Sequence, residues 1–218
     1  MPLTHCKYPS TNSPSSLAAL LLGLMLPMPA FSANGQTDLI INGLVTPSAC
    51  RVDLNGGEVD HGRIPARDLL PDEFSVLPSQ MLTMQINCSA PVLFALVGID
   101  NRADSSLAPN FFYGLGKNVH ASAERLGSVS LSFRNSSGDG QTMQSLTSYD
   151  QGLNWSPEPN AYPRMLMGFA RPGRPQPEPI INLTTQLRVD TSISPARTLT
   201  LQQEVPLDGS IVLDLRYL

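Results

Sequence analysis

Apolar side chains recur at every second position in several segments of this 218-residue chain, a period that suits strands and leaves little room for amphipathic helices. Leu82, Met84, Ile86 and Cys88 share a face, as do Val129, Leu131 and Phe133. Ile181, Leu183, Leu187 and Val189, with Thr185 between them, form a third set. Val92 to Ile99 is apolar on both faces, as a central strand is. Leu199 and Leu201 lead towards a turn at Asp208-Gly209, after which Ile211, Leu213, Leu215 and Tyr217 alternate to the end of the sequence. Several strands separated by turn residues predict an all-β chain folded as a β-sandwich. Short helical segments are expected only around Ala66 to Leu70 and Ala121 to Leu126.

Residues 1–33 have the pattern of a secretory signal peptide. Lys7 supplies positive charge, Leu17 to Met25 is apolar or small throughout, and Pro27 to Ala33 ends in residues that signal peptidase accepts. The apolar stretch is too short to span a membrane convincingly. Cleavage after Ser32 or Ala33 would remove Cys6 and leave Cys50 and Cys88 in an oxidising compartment, where a disulfide between them is expected. In the chain-entropy model, closing the intervening loop stabilises the fold by at most roughly 3.5–4 kcal/mol. A zinc or redox centre is disfavoured, because there is no CxxC and only His61 and His120 follow the leader.

The remaining length of about 185 residues suffices for one sizeable core. Formal net charge is −4 for the whole chain, and becomes about −5 when Lys7 is lost with the leader, which argues against nucleic-acid or anionic-membrane binding. The Pro-rich stretch from Ala170 to Pro179 reads as an extended, solvated loop rather than a domain boundary, since the strands on both sides are needed for one sandwich.

The segment Asp38 to Cys50 is extended and two-sided, with Leu39, Ile41, Gly43 and Val45 on one face. Its pattern Ile41-x-Gly43-x-Val45, followed by Cys50, resembles the N-terminal extension and first cysteine of pilin subunits assembled by the chaperone-usher pathway. Val59-Asp-His-Gly62-Arg-Ile64 resembles the strand that follows in those subunits, Ile86-Asn-Cys88 their second-cysteine strand, and Tyr217 on the last strand their chaperone-binding end. Asp100-Asn-Arg102, Tyr113-Gly-Leu-Gly116 and Ser148-Tyr-Asp-Gln-Gly152 are similar to a poorly characterised fimbrial-like branch found in bacterial chaperone-usher gene clusters.

The resemblance implies an immunoglobulin-like β-sandwich that is incomplete, missing its last strand, and is completed by a donor strand from a chaperone or a neighbouring subunit. On this view residues 34–46 are the donor-strand extension and 47–218 the sandwich domain. Leu39, Ile41 and Val45 would fill the groove of the next subunit, with Gly43 where the groove is too shallow for a side chain. Residues 36–45 reach roughly 33 Å when extended, enough to run the length of such a groove. Ile211, Leu213, Leu215 and Tyr217 would form the edge strand that meets the chaperone. The implied partners are a periplasmic pilus chaperone, an outer-membrane usher and neighbouring fimbrial subunits, and the implied route runs through the periplasm to the bacterial cell surface. Gly209 lies closer to the C-terminal end than the corresponding glycine of classical pilins.

No enzyme motif is present. GxSxG and HExxH are missing, and Gly114-Leu-Gly116-Lys117 lacks the earlier glycine and the following Ser/Thr of a phosphate-binding loop. Asp100 and Asp104 read as solvated loop carboxylates, and His61 and His120 as isolated strand or loop histidines, so neither a metal nor a cofactor is expected. Ser148-x-Asp150-x-Gly152-x-x-Trp155 has the form of an Asp-box, which in a single copy argues for a hairpin whose Asp caps the turn and whose tryptophan packs beneath it. The functional alternative makes Trp155 a contact for a host or surface glycan receptor, with Tyr162 and the arginines at 164, 171 and 174 nearby. The leading expectation is a structural fimbrial subunit; the alternative is a self-contained secreted β-sandwich binding module.

Overall fold

The computed structural model describes residues 49–218, so the leader and the extension carrying Leu39, Ile41, Gly43 and Val45 lie outside the described residues. In chain order the first strands are β1 (Cys50–Asn55), β2 (Ser75–Val76), β3 (Gln80–Val92), β4 (Phe94–Asp100), β5 (Tyr113–Gly114), β6 (Lys117–Asn118) and β7 (Ala121–Arg125). They are followed by β8 (Gly127–Gly138), β9 (Gln141–Thr142), β10 (Gln144–Ser148), β11 (Ser156–Pro157), β12 (Leu166–Ala170), β13 (Ile180–Ile193) and β14 (Ile211–Tyr217).

Two antiparallel sheets and one small hairpin result. The first sheet has the order β1-β3-β13-β8-β5, with β2 on β13 and β9 on β8; the second has the order β11-β10-β12-β4-β14. Long strands alternate between the sheets: β3 leads into β4 through Leu93 alone, and β12, β13 and β14 pass from second to first to second. Each crossing turns an apolar face towards the same interior, the arrangement of an immunoglobulin-like sandwich.

Inner positions of β3, β8 and β13 meet those of β4, β10 and β12. Met84, Ile86, Leu96, Leu146, Met167 and Leu183 are almost fully buried, each removal from water being worth roughly 1.5–3 kcal/mol. Phe133 and Phe169 pack edge to face with ring centroids 5.2 Å apart. Residues 159–161 then leave the second sheet to pair with β8: Phe133 N–H donates to Pro159 O at 2.7 Å, and Ala161 N–H to Leu131 O at 2.8 Å. The chain returns at once, Arg164 N–H donating to Gly98 O at 2.8 Å. Beneath this strap the buried Tyr113 hydroxyl donates to Ala161 O at 2.9 Å, and burial raises its phenol well above the ordinary range. A Cβ on Gly98 would overlap that hydroxyl, which explains glycine in the middle of β4.

Several local expectations change. The irregularity between Ile180 and Asn182 puts Ile180, not Ile181, in the core with Leu183, Leu187 and Val189. Ala121 to Arg125 is a strand paired with β6, because Glu124 is drawn inwards by Asn118 Nδ2 at 2.8 Å and by the backbone N–H and hydroxyl of Thr200, both at 2.7 Å. These bonds, the Thr200 backbone donor foremost, hold its carboxyl below the usual range. Ala66–Asp68 forms only a 3-10 turn. Val59 to Ile64 forms no strand among the described residues; Gly62 has a positive φ of 64°, which interrupts extended pairing. Nor is Asp208-Gly209 a hairpin turn, since Leu199 and Leu201 belong to no strand paired with β14.

The Pro-rich loop between β12 and β13 is closed, not merely extended. Arg171 Nη2 donates to Glu178 Oε1 at 2.6 Å, its backbone N–H reaches Glu178 Oε2 at 2.8 Å, and Glu178 N–H returns to Phe169 O at 3.0 Å. The Arg171 hydrogen bonds lower the Glu178 carboxyl to about 2.

Candidate functional site

The last strand borders an opening in the sandwich. β14 pairs along its length with β4, from Ile211 opposite Asp100 to Tyr217 opposite Phe94. Its other edge has no strand partner among the described residues. Ile211, Leu213 and Leu215 turn towards the interior yet remain half-buried. Beside them lies an open groove of about 360 Å³. Leu82, Leu187, Val189 and Leu131, contributed by three strands of the first sheet, line it together with Leu54 of β1, while Ile211 and Leu213 line it from β14. The first sheet therefore presents apolar side chains beside an edge of the second sheet that can accept another strand.

Val59 and His61 lie on one rim and Leu207 on another, and both continue into a second open region lined by residues 59–66 and 201–207. Residues 59–61 have no main-chain hydrogen-bond partners among the described residues. The groove is not wholly apolar: His61 Nε2 lies 3.0 Å from the hydroxyl of the buried Thr191. The lining is aliphatic apart from Glu58 and the His61–Thr191 pair, so polar groups lie beside Leu54, Leu82, Leu187 and Leu213.

Both ends of β14 are fixed. At its start, Arg102 grips Asp208 through two hydrogen bonds, Nε to Oδ2 at 2.8 Å and Nη2 to Oδ1 at 2.9 Å, and Asp208 N–H donates to Leu115 O at 3.1 Å. The Arg102 hydrogen bond is the main cause lowering the Asp208 carboxyl. Asp100 accepts the backbone N–H groups of Arg102 and Gly114, both at 2.8 Å, and Ser105 Oγ accepts Gly116 N–H at 3.0 Å. A side chain at Gly114 would collide with Arg102 O. Asp100 and Asp104 are consequently structural: the former joins two loops, and the latter pairs with Lys117 Nζ at 2.6 Å. At the other end, Cys50 N–H donates to Tyr217 Oη at 3.0 Å, tying β14 to the first sheet beside the Cys50–Cys88 disulfide.

The expected site residues thus separate. Ile211 and Leu213 line the groove, Leu215 packs partly against the core, and Tyr217, 55% exposed, does not line it but ties the end of β14 to Cys50. Trp155 is committed to its hairpin: Nε1–H donates to Gly152 O at 3.0 Å and the ring lies against Gly168. Asp150 supports that turn by accepting Asn154 N–H and Ser148 Oγ–H, each at 2.8 Å. His61 and His120 engage different partners, Thr191 and Glu204 O. The Arg102–Asp208 clamp and the His61–Thr191 contact were not apparent from local sequence. The Asp100-Asn-Arg102 and Tyr113-Gly-Leu-Gly116 motifs signalled the clamp's loops, but nothing in their spacing joins them to Asp208.

A family model described as "Protein of unknown function (DUF1120)" matches residues 39–146. The match begins at Leu39 and includes both disulfide cysteines and strands from the two sheets. The chain is also similar to Protein GltF of Escherichia coli (strain K12), with 25% identity over 241 residues covering 88% of this chain and 94% of that protein.

Proposed function

We propose that this chain is a structural subunit of a bacterial surface fimbria, exported and assembled by donor-strand exchange in a chaperone-usher pathway. The observation that carries the reading is the apolar face of the first sheet left open beside the unpaired edge of β14. A strand added there would gain main-chain hydrogen bonds from β14 and cover Ile211, Leu213, Leu82 and Leu54 at alternate side-chain positions. A periplasmic chaperone provides that strand first; the Leu39, Ile41, Gly43 and Val45 face of a neighbouring subunit provides it in the fibre. The disulfide-linked sandwich and the similarity in the order of sequence motifs support the same reading. In this role the protein performs no catalysis and needs no cofactor.

The test is thermal unfolding of the mature chain with and without residues 36–46 appended after Leu218 through a flexible linker, which lets the copy run antiparallel to β14. A rise in midpoint of about 10 °C or more is expected, corresponding to several buried apolar side chains. Gly43→Trp in the appended copy should abolish most of the rise. An unextended monomer that is already stable and is unaffected by the copy would overturn donor-strand exchange and favour the self-contained binding module.

A further inference from the structure

Three aromatic rings from separately fixed loops meet at the surface formed around the strap. Phe111 and Tyr162 lie edge to face with centroids 5.9 Å apart, and Tyr149 is tilted 37° from Tyr162 at 6.1 Å. Phe111 is 57% exposed and Tyr149 58% exposed. Their backbones are held in place: Phe111 N–H donates to Ala108 O at 2.9 Å, Tyr149 follows the Ser148 of the Asp-box turn, and Tyr162 sits between the strap bonds of Ala161 and Arg164.

Planar polar groups accompany these rings. Glu158 Oε1 accepts Asn160 N–H at 3.0 Å and Asn160 Nδ2–H at 2.8 Å, while Asn160 Nδ2 also reaches Tyr162 Oη at 3.3 Å. Arg164 Nη2 donates to Asn110 Oδ1 at 3.2 Å. Arg164 has no carboxylate partner among the described residues, so most of its guanidinium donors remain available.

We infer that Tyr149, Phe111 and Tyr162, bordered by Glu158, Asn160 and Arg164, form a binding site for a neutral sugar unit of a glycan. A pyranose ring combines an apolar C–H face, which matches the electron-rich face of an aromatic ring, with hydroxyl groups directed towards its rim. The exposed rings provide the first complement; a carboxylate and the Asn160 amide oxygen that accept and a guanidinium that donates provide the second. Fixed loops reduce the entropy lost on binding. The site uses none of the groove side chains, and it explains an exposed aromatic cluster that Trp155, packed into its hairpin, does not.

The full chain is tested against immobilised oligosaccharides terminating in galactose, mannose, N-acetylglucosamine or sialic acid. Binding to at least one neutral terminus is expected, with a loss of tenfold or more in Tyr149→Ala and in Phe111→Ala at unchanged unfolding midpoint. Tyr149→Phe, which keeps the ring, should retain binding. Absence of binding across the panel, recognition confined to sialic acid, or binding undiminished in the Tyr149→Ala/Phe111→Ala double variant would each overturn the assignment. A change in oligomeric state in that double variant without a change in glycan binding would assign the rings to subunit contacts and overturn it too. The strand-addition experiment reads the unfolding midpoint, so failure at one site is distinguishable from failure at the other.

Discussion

β13 and β14 carry similar alternating patterns and meet different fates. In β13, Leu183 is buried because β3 and β8 flank the strand and the second sheet covers its inner face. In β14, Ile211, Leu213 and Leu215 face the same interior but remain half-buried, with β4 on only one side. Alternation selects the face of a strand; neighbouring strands decide whether that face becomes dry.

The strongest way to break the comparison is in the covered core. Phe169→Ala removes a ring packed on Phe133 and should lower stability by about 3–5 kcal/mol, measured by urea unfolding. Cys50→Ser/Cys88→Ser should lower it by about 2–4 kcal/mol and also loosen the Tyr217 contact, observable as faster amide exchange at Cys50's replacement. An unchanged urea midpoint for either variant would contradict the packing described.

A paired substitution sharpens the contrast. Leu183→Ala on β13 should cost about 2–5 kcal/mol, whereas Leu213→Ala on β14 should cost under about 1.5 kcal/mol in the unextended chain. With residues 36–46 appended, the cost at Leu213 should approach the value at Leu183. Equal costs before the strand is added would show that β14 is already covered.

The smallest effect is expected at the closed Pro-rich loop. Glu178 is lowered from 4.5 to about 2 by Arg171, so its contribution to stability is present above the unfolded carboxyl value and is lost as pH falls from about 4.5 through about 2. Glu178→Gln should remove that component of the acid dependence. A carboxyl titration followed by NMR should place the native midpoint near 2; an ordinary midpoint would mean that the Arg171 contact is not kept in solution.

Much of this architecture was legible because its signals are local. The period of two marked β3, β8, β13 and β14, the expected loss of the leader and the cysteine count marked the Cys50–Cys88 pair, and Ser148-x-Asp150-x-Gly152 marked a hairpin whose hydrogen bonds follow. The failures have physical causes. One irregularity exchanged Ile180 for Ile181, and Glu124's bonds to Asn118 and Thr200, the latter 76 positions away, favoured a strand where residue preferences allowed a helix. Neither signal is contained in a short window.

The candidate sites divide in the same way. Sequence alternation selected Ile211 and Leu213 as inward-facing side chains, and the motif resemblance supplied a use for them. It did not reveal that Leu54, Leu82 and Leu187 border the same opening, or that Tyr217 binds Cys50 N–H. The Phe111–Tyr162–Tyr149 cluster was equally hidden, because its rings come from three loops separated along the chain.

The sequence by itself determined the strand period, the cysteine pair available for crosslinking and the turn chemistry, since each depends on residue type and short spacing. Tertiary structure alone decided which apolar face stayed open and which aromatic side chains met, because burial and proximity depend on how distant strands cross and where a sheet ends.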